Sequence, residues 1–190
     1  MTSFPQLSAD IEQLVARLNQ AVALVEPQAI CDEVKASLIE VAMGMHMPDE
    51  LLEPAPDRYA RRLLHRCPSG TYSVMAMTWG PGQGTPVHDH AGKWCVECLL
   101  EGQIEITTYE PVSDLTASVV QFAEVDTQTA HPGDVGILVP PMEYHRIRNV
   151  SDRKAVTVHV YQGEMLWCHA FHALESGGYR RERLTLDYSE

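Results

Sequence analysis

Two histidines one residue apart, His88 and His90, are the first residues whose types and spacing suggest chemistry. In a strand, alternate side chains leave the same face, so this spacing turns both imidazoles one way and Asp89 the other. Neutral imidazole is a common ligand for divalent first-row metals. A lone H-x-H pair is also common as two surface histidines, so its surroundings must decide. Gly82 lies six residues before His88, Gly102 lies seven after Cys95, and a second segment runs Pro140-Pro-Met-Glu-Tyr-His145-Arg-Ile-Arg-Asn149.

These segments resemble the two cupin motifs, G-x5-H-x-H-x4-E-x6-G and G-x5-P-x-G-x2-H-x3-N. Three departures matter. Cys95 stands at the glutamate ligand, Met142 replaces a glycine, and the spacing from Gly133 to Pro140 is one residue long. The ligand set implied is His88, His90 and His145, three neutral imidazoles without a carboxylate. Such a set leaves positions open on a divalent metal for substrate and O2. The metal keeps its full positive charge, which favours an anionic, soft ligand such as a thiolate. Zinc also accepts three histidines, so ligand type alone does not select iron.

Further residues resemble the thiol dioxygenases, and the cysteine dioxygenase type I family most closely. The resemblance runs from about Tyr59 to Phe171. It is carried by Tyr59-Ala-Arg61, Trp79-Gly80-x-Gly82-x-Gly84, His88-Asp-His90-x4-Cys95, Cys95-Val-Glu-Cys-Leu-Leu-Glu-Gly102, His145-Arg-Ile-Arg-Asn-Val-Ser151, Thr157-Val-His159-Val-Tyr161 and Cys168-His-Ala-Phe171. It implies a mainly β, cupin-type antiparallel barrel, jelly-roll-like, and an Fe(II) enzyme that inserts both atoms of O2 into the sulfur of L-cysteine to give cysteine sulfinate. It further implies a Cys95–Tyr161 thioether as a protein-derived cofactor. His159 matches the residue that hydrogen-bonds this tyrosine, and Thr157 stands where the family has serine. Arg61 matches the guanidinium that binds the substrate carboxylate, with Tyr59 beside it and Cys168 lining the pocket. Arg62 is adjacent and stays open as the carboxylate binder, although the Tyr-x-Arg pattern favours Arg61.

Taken singly, each residue has a plainer reading: Tyr161 and His159 as satisfied core groups, Cys95 as a small hydrophobe, Arg61 as a solvated helix-surface charge. Thr157, His159 and Tyr161 nevertheless alternate, so one strand carries all three on one face. After Tyr161 the family has Ser-Pro-Pro, whereas this chain has Gln162-Gly163-Glu164. That is closer to enzymes that oxidise 3-mercaptopropionate, and keeps another small thiol carboxylate, mercaptosuccinate included, beside cysteine as substrate. A zinc or nickel enzyme such as an isomerase, and a metal- or thiol-binding module without turnover, are the other classes open to this triad.

The elements expected to position these residues fall into two textures. Residues 1–65 read as helical. Ser8 is suited to N-cap a segment with Ile11, Leu14, Val15, Leu18 and Val22 at helical spacing. A second run follows Pro27, and Pro48-Asp-Glu opens a short third element. From about Tyr72, short β-like runs alternate with Gly/Pro turns: 71–79, 96–100, 104–109, 119–125, 135–139 and 156–161. The expectation is a single domain over 1–190, with a helical N-terminal part packed on a cupin barrel from about residue 70.

The 190 residues are ordinary in composition, 45% hydrophobic and 21% charged, and carry a formal net charge of −12. That charge disfavours nucleic acid and anionic membranes as partners. No apolar run is long enough to span a bilayer, and the first residues lack the basic and apolar regions of a signal peptide. The five cysteines (Cys31, Cys67, Cys95, Cys98 and Cys168) are odd in number and scattered. No disulfide framework is therefore expected, and a reducing cytoplasm is. Cys95 and Cys98 form a C-x-x-C without a second pair, and Cys98 reads as strand packing. His46, His65, His131, His169 and His172 have no ligand pattern. Monomer and homo-oligomer are both compatible with the sequence.

Overall fold

The computed structural model describes residues 5–41, 44–141 and 144–189, with side chains from residue 9 onward. Helix α1 spans Pro5–Ala21 and helix α2 spans Pro27–Val41. A 3-10 turn follows at Asp49–Leu51, with Pro48 before it and Asp49 and Glu50 in its first turn. The remaining elements are strands β1 (Ala60–Arg66), β2 (Tyr72–Trp79), β3 (Val87–His88), β4 (Cys95–Glu101), β5 (Ile104–Pro111), β6 (Phe122–Ala130), β7 (Val135–Leu138), β8 (His145–Asn149), β9 (Ala155–Gln162), β10 (Trp167–Ala173) and β11 (Tyr179–Thr185).

These strands form two antiparallel sheets, ordered β1-β2-β9-β4-β7 and β11-β10-β3-β8-β5-β6. The architecture is mainly β, a cupin-type jelly roll in which the ladders of the two sheets do not join into one closed barrel. The first sheet is buried on both sides, and strand alternation divides its residues. Tyr72, Val74, Val96, Cys98, Val158 and Val160 pack with Leu14, Leu18, Val34 and Leu38 of the helices. Met75, Met77, Trp79, Cys95, Leu99 and Tyr161 turn the other way, toward Ile104 and Ile147 of the second sheet. Each buried Leu or Val side chain contributes about 1.5–3 kcal/mol through removal of apolar surface from water. The helices therefore seal one face of the sheet, and the opposite face is left to line a site.

Several sequence expectations change. The helical reading of 1–65 fails at its end, because Ala60–Arg66 is a strand paired with β2 from Ala60↔Thr78 to Arg66↔Ser73. Its ladder satisfies backbone groups that a helix there would leave unpacked, and alternation puts Arg61 inside rather than on a helix surface. Ser8 does not cap α1: the helix already runs from Pro5, whose missing N–H costs nothing in a first turn. The 119–125 run begins its strand later, at Phe122. β10 and β11 were not among the expected runs. Met142 lies outside the described residues.

Two motif residues have clear structural duties. Gly102 turns the chain between β4 and β5 at φ +85°, and a Cβ there would stand 2.6 Å from the Lys154 carbonyl oxygen. Asn149, fully buried, donates from Nδ2 toward the carbonyls of Trp79 (3.0 Å), Gly80 (3.2 Å) and Arg153 (2.7 Å). Its Oδ1 accepts from the Ser151 N–H at 3.0 Å and the Ser151 hydroxyl at 2.8 Å. One side chain thus ties β8 to the end of β2 and fixes the loop that leads into the first histidine pair.

Candidate metal centre

His88 ends β3 and His145 begins β8, where the two are direct register partners. His90 lies beyond the end of β3, so the strand carries only the first of the pair. A turn brings the second back to it, with the Lys93 N–H donating to the His90 carbonyl at 3.1 Å. The ring centroids are 4.4 Å apart for His88 and His145, 4.9 Å for His90 and His145, and 5.4 Å for His88 and His90. One ligand nitrogen from each lies within 4.8 Å of the others. Burial pushes His88 down and His90 well down from the ordinary imidazole range. Both are therefore neutral, the form that ligates a metal. His88 Nδ1 lies 3.2 Å from the Pro86 carbonyl. A carbonyl only accepts, which assigns the proton to Nδ1 and leaves Nε2 for an ion.

Asp89 points away from the triad. Its carboxylate accepts from the backbone N–H of Ala91 at 3.1 Å and of His169 at 2.9 Å, and meets His169 Nδ1 at 2.8 Å. It locks the His88–His90 turn onto β10. His169, given no ligand role in the sequence, serves this anchor.

Beside the triad runs a polar row on β9. Trp79 Nε1–H donates to Thr157 Oγ1 at 2.9 Å, and Thr157 Oγ1 lies 2.8 Å from His159 Nε2. Having accepted from Trp79, Thr157 has its own proton to give to Nε2, which puts the imidazole proton on Nδ1. That nitrogen is 3.3 Å from Tyr161 Oη. Burial above all, with the positive Arg61 nearby, pushes His159 down to about 3 and keeps it neutral. Cys95 is the cross-strand partner of Tyr161, and its Sγ lies 3.9 Å from His159 Nδ1. Burial pushes the Cys95 thiol and the Tyr161 phenol well up, so both keep their protons.

Arg61 is 4% exposed and enters the same space from β1. Its Nη2 donates to the Met165 carbonyl at 2.5 Å, while Nη1, also buried, has no hydrogen-bond partner among the described residues. Arg62 turns the other way and donates to the carbonyls of Leu51 (3.1 Å) and Glu53 (2.9 Å). Tyr59 stacks on Trp79 with ring centroids 4.3 Å apart. Cys168 is buried, its thiol pushed up to about 12. A pocket of about 650 Å³ of atom-free space is lined by Arg61, Tyr59, the three histidines, His159, Tyr161 and Cys168 together. Every site residue singled out in the sequence therefore reaches this pocket or, for Cys95 and Thr157, the row that walls it.

Glu97 was not singled out and belongs here. It is 6% exposed, pairs with His159 across β4 and β9, and places Oε2 3.3 Å from His159 Nδ1. Burial pushes its carboxyl up to about 7. An acid at the same strand parity as Cys95, within an otherwise apolar run, was the available signal. The last residues were missed as well. Leu184 and Leu186 line the pocket, and the Arg61 guanidinium lies 5.1 Å from the Tyr188 ring centroid.

A jelly roll with three converging buried histidines defines a metal-binding cupin. The chain matches the family described as Cysteine dioxygenase type I over residues 1–174, and it belongs to that family. Cysteine dioxygenase type 1 of Homo sapiens is 27% identical over 174 residues, covering 88% of this chain and 80% of the relative. The Rattus norvegicus enzyme is 25% identical over 170 residues with the same coverage. Among solved structures, a protein from Thermus thermophilus gives a TM-score of 0.48 at 20% identity, covering 63% of this chain and 96% of that one. A cupin-2 domain from Rhodospirillum rubrum gives 0.47 at 17%, covering 66% and 72%. Family membership makes the chain an oxidoreductase of the dioxygenase type, and the triad points to a metal cofactor.

Proposed function

We propose that the protein is an Fe(II)-dependent thiol dioxygenase that inserts both atoms of O2 into the sulfur of L-cysteine to give cysteine sulfinate. The observation that carries this reading is the unpartnered Nη1 of buried Arg61, on a side chain that lines the same pocket as the three histidines. A buried guanidinium donor without a partner is costly, and a substrate carboxylate would satisfy it. The donor set fits iron: three buried imidazoles, each with one nitrogen within 4.8 Å of the others. Fe(II) held by His88, His90 and His145 would supply the one-electron chemistry that lets ground-state O2 react with a thiolate.

The chain's own residues do the rest. Arg61 binds the carboxylate and so orients the sulfur end toward the triad. Thr157 and Trp79 fix the ring of His159, which holds its Nδ1 proton toward Tyr161 Oη. Tyr161 is then free to donate its own proton into the pocket, toward the sulfur or the incoming oxygen. Met77, Met165, Ala170 and Leu184 exclude water. The cross-strand pairing of Cys95 with Tyr161 supports a thioether between them. Tyr59 and Cys168 complete the walls near Arg61. The five free thiols suit a reducing compartment such as the cytoplasm.

Gln162-Gly163-Glu164 favours a second reading within the same class, a different small thiol carboxylate. Here Glu164 is drawn to Arg66 at 2.6 Å and bonded by the Tyr188 hydroxyl. Oxygen uptake by iron-loaded protein with cysteine, 3-mercaptopropionate, mercaptosuccinate and cysteamine separates the readings. Uptake with none of them, or turnover that persists with zinc, would sink the proposal and favour a binding module or another metalloenzyme.

A further inference from the structure

We infer that Glu97 accepts the proton of the incoming thiol in the reaction proposed above, on which this role rests, and passes it to water in a second cavity behind it. Glu97 lies between Cys95 and Leu99 on the pocket side of β4, opposite His159 of β9 and Gly136 of β7. Its Oε2 is buried and, although 3.3 Å from His159 Nδ1, makes no hydrogen bond to the described residues. A carboxyl group in the middle of a sheet covered on both faces, without a hydrogen bond on that oxygen, serves no evident packing purpose. Room for it is provided: a Cβ at Gly136 would stand 3.3 Å from Glu97 Cγ and 3.4 Å from Oε1.

The position of the group explains that arrangement. Glu97 lines the metal pocket, and it also lines a second, more open cavity of about 1010 Å³ with Thr157, Gly136, Lys35 and Asp134. It is therefore part of the partition between substrate and a separate route to solvent, as a group that takes a proton on one side and gives it up on the other must be.

The chemistry requires such a group. A free thiol ionises near about pH 8.5 and arrives protonated at neutrality, whereas the proposed reaction uses the thiolate. In the transfer the S–H bond breaks, its electron pair stays on sulfur, and an O–H bond forms on Glu97 Oε2. The resulting carboxylic acid returns its proton to water in the second cavity, and no oxidant is consumed. The other titratable groups facing this space are unsuited. His159 is pushed to about 3 by burial and is a weak base, while Tyr161, Tyr59, Cys95 and Cys168 are pushed up and keep their own protons. His88, His90 and His145 are committed to the metal, and among the described residues the remaining charges are Arg61 across the pocket and Lys35 and Asp134 on the second cavity. Glu97, pushed up to about 7, is basic enough to take the proton and acidic enough to release it.

Two variants and two readouts test this. In iron-loaded wild type, kcat/KM for cysteine-dependent oxygen uptake rises through about pH 7. In Glu97→Gln that step vanishes and kcat/KM near neutrality falls about 100-fold, recovering above about pH 8.5 where the thiol ionises unaided. Glu97→Asp restores a step. Without any metal or substrate, the infrared band of a protonated buried carboxyl titrates near neutrality in wild type and is missing in Glu97→Gln. A Glu97→Gln profile parallel to wild type, unchanged or lowered equally at every pH, overturns the role, as does a carboxyl band that titrates in the ordinary range. Wild type that consumes no oxygen with any thiol overturns the proposed function instead, a result distinct from either.

Discussion

Cys95 and Tyr161 face each other as direct cross-strand partners on β4 and β9, with both side chains turned into the pocket-facing layer. Neighbouring antiparallel strands bring opposed Cβ atoms to about 4.5–5.5 Å, so a thioether needs side-chain rotation and no backbone movement. Iron-loaded protein that has turned over thiol and O2 should run as two bands on a denaturing gel. The faster band should carry a mass lower by the hydrogens lost in forming the bond. Cys95→Ser should give the slower band alone; a single unchanged band in wild type after turnover refutes the crosslink.

Arg61 and Arg62 differ in what they hold, and substitution separates them. Arg61→Ala should lower kcat/KM for carboxylated thiols by the equivalent of about 2–5 kcal/mol, chiefly through KM. Oxidation of cysteamine, which has no carboxylate, should change little. Arg62→Ala removes two hydrogen bonds to backbone carbonyls of the loop before β1 and should lower thermal stability while sparing KM. Equal effects of both variants on KM would contradict the assignment.

Metal removal gives a third measurement. Chelation should abolish oxygen uptake, Fe(II) should restore it, and Zn(II) should bind the three imidazoles without restoring turnover. His145→Ala should fail to retain iron by metal analysis, because only two of the three ligands remain.

Protonation of the His159–Glu97 pair enters stability with opposite signs. His159, pushed down to about 3 from 6.5, binds fewer protons folded than unfolded, so between those values it adds stability as pH rises. Glu97, pushed up to about 7 from 4.5, binds more protons folded, so between those values it removes stability as pH rises. The windows overlap from about 4.5 to 6.5, where wild type should show a nearly flat contribution from the pair. Glu97→Gln leaves the His159 slope uncompensated, roughly 1 kcal/mol per pH unit. Urea denaturation across that interval should show the steeper rise in the variant, and identical slopes would refute it.

Asn149 offers a test of the scaffold. Asn149→Ala removes a donor from the buried carbonyls of Trp79 and Gly80 and from the part-buried carbonyl of Arg153, and should cost about 1–3 kcal/mol in unfolding free energy. A loss well below about 1 kcal/mol would mean that water replaces the amide.

The candidate ligands His88, His90 and His145 are legible from their motif spacing, and the polar row because Thr157, His159 and Tyr161 alternate. β1 was misread: Arg61, Arg62 and Arg66 hide its period-two pattern, and only pairing with β2 makes it a strand. Glu97 has one local signal, an acid in an apolar run at the parity of Cys95, but that signal assigns no role by itself; its meaning comes from Gly136 and His159, far away in sequence. β11 was missed because its side chains are mostly exposed and charged, and its identity rests on the ladder with β10.

The chain's last described residues close one wall of the substrate space. Ser189 N–H donates to the Arg61 carbonyl at 2.7 Å, and the Arg61 N–H donates to Ser189 Oγ at 3.0 Å. This segment lies beyond the residues matched by the family, 1–174. Substitution at Leu184 or Leu186 would therefore reshape the pocket from a stretch that bears none of the three candidate ligands.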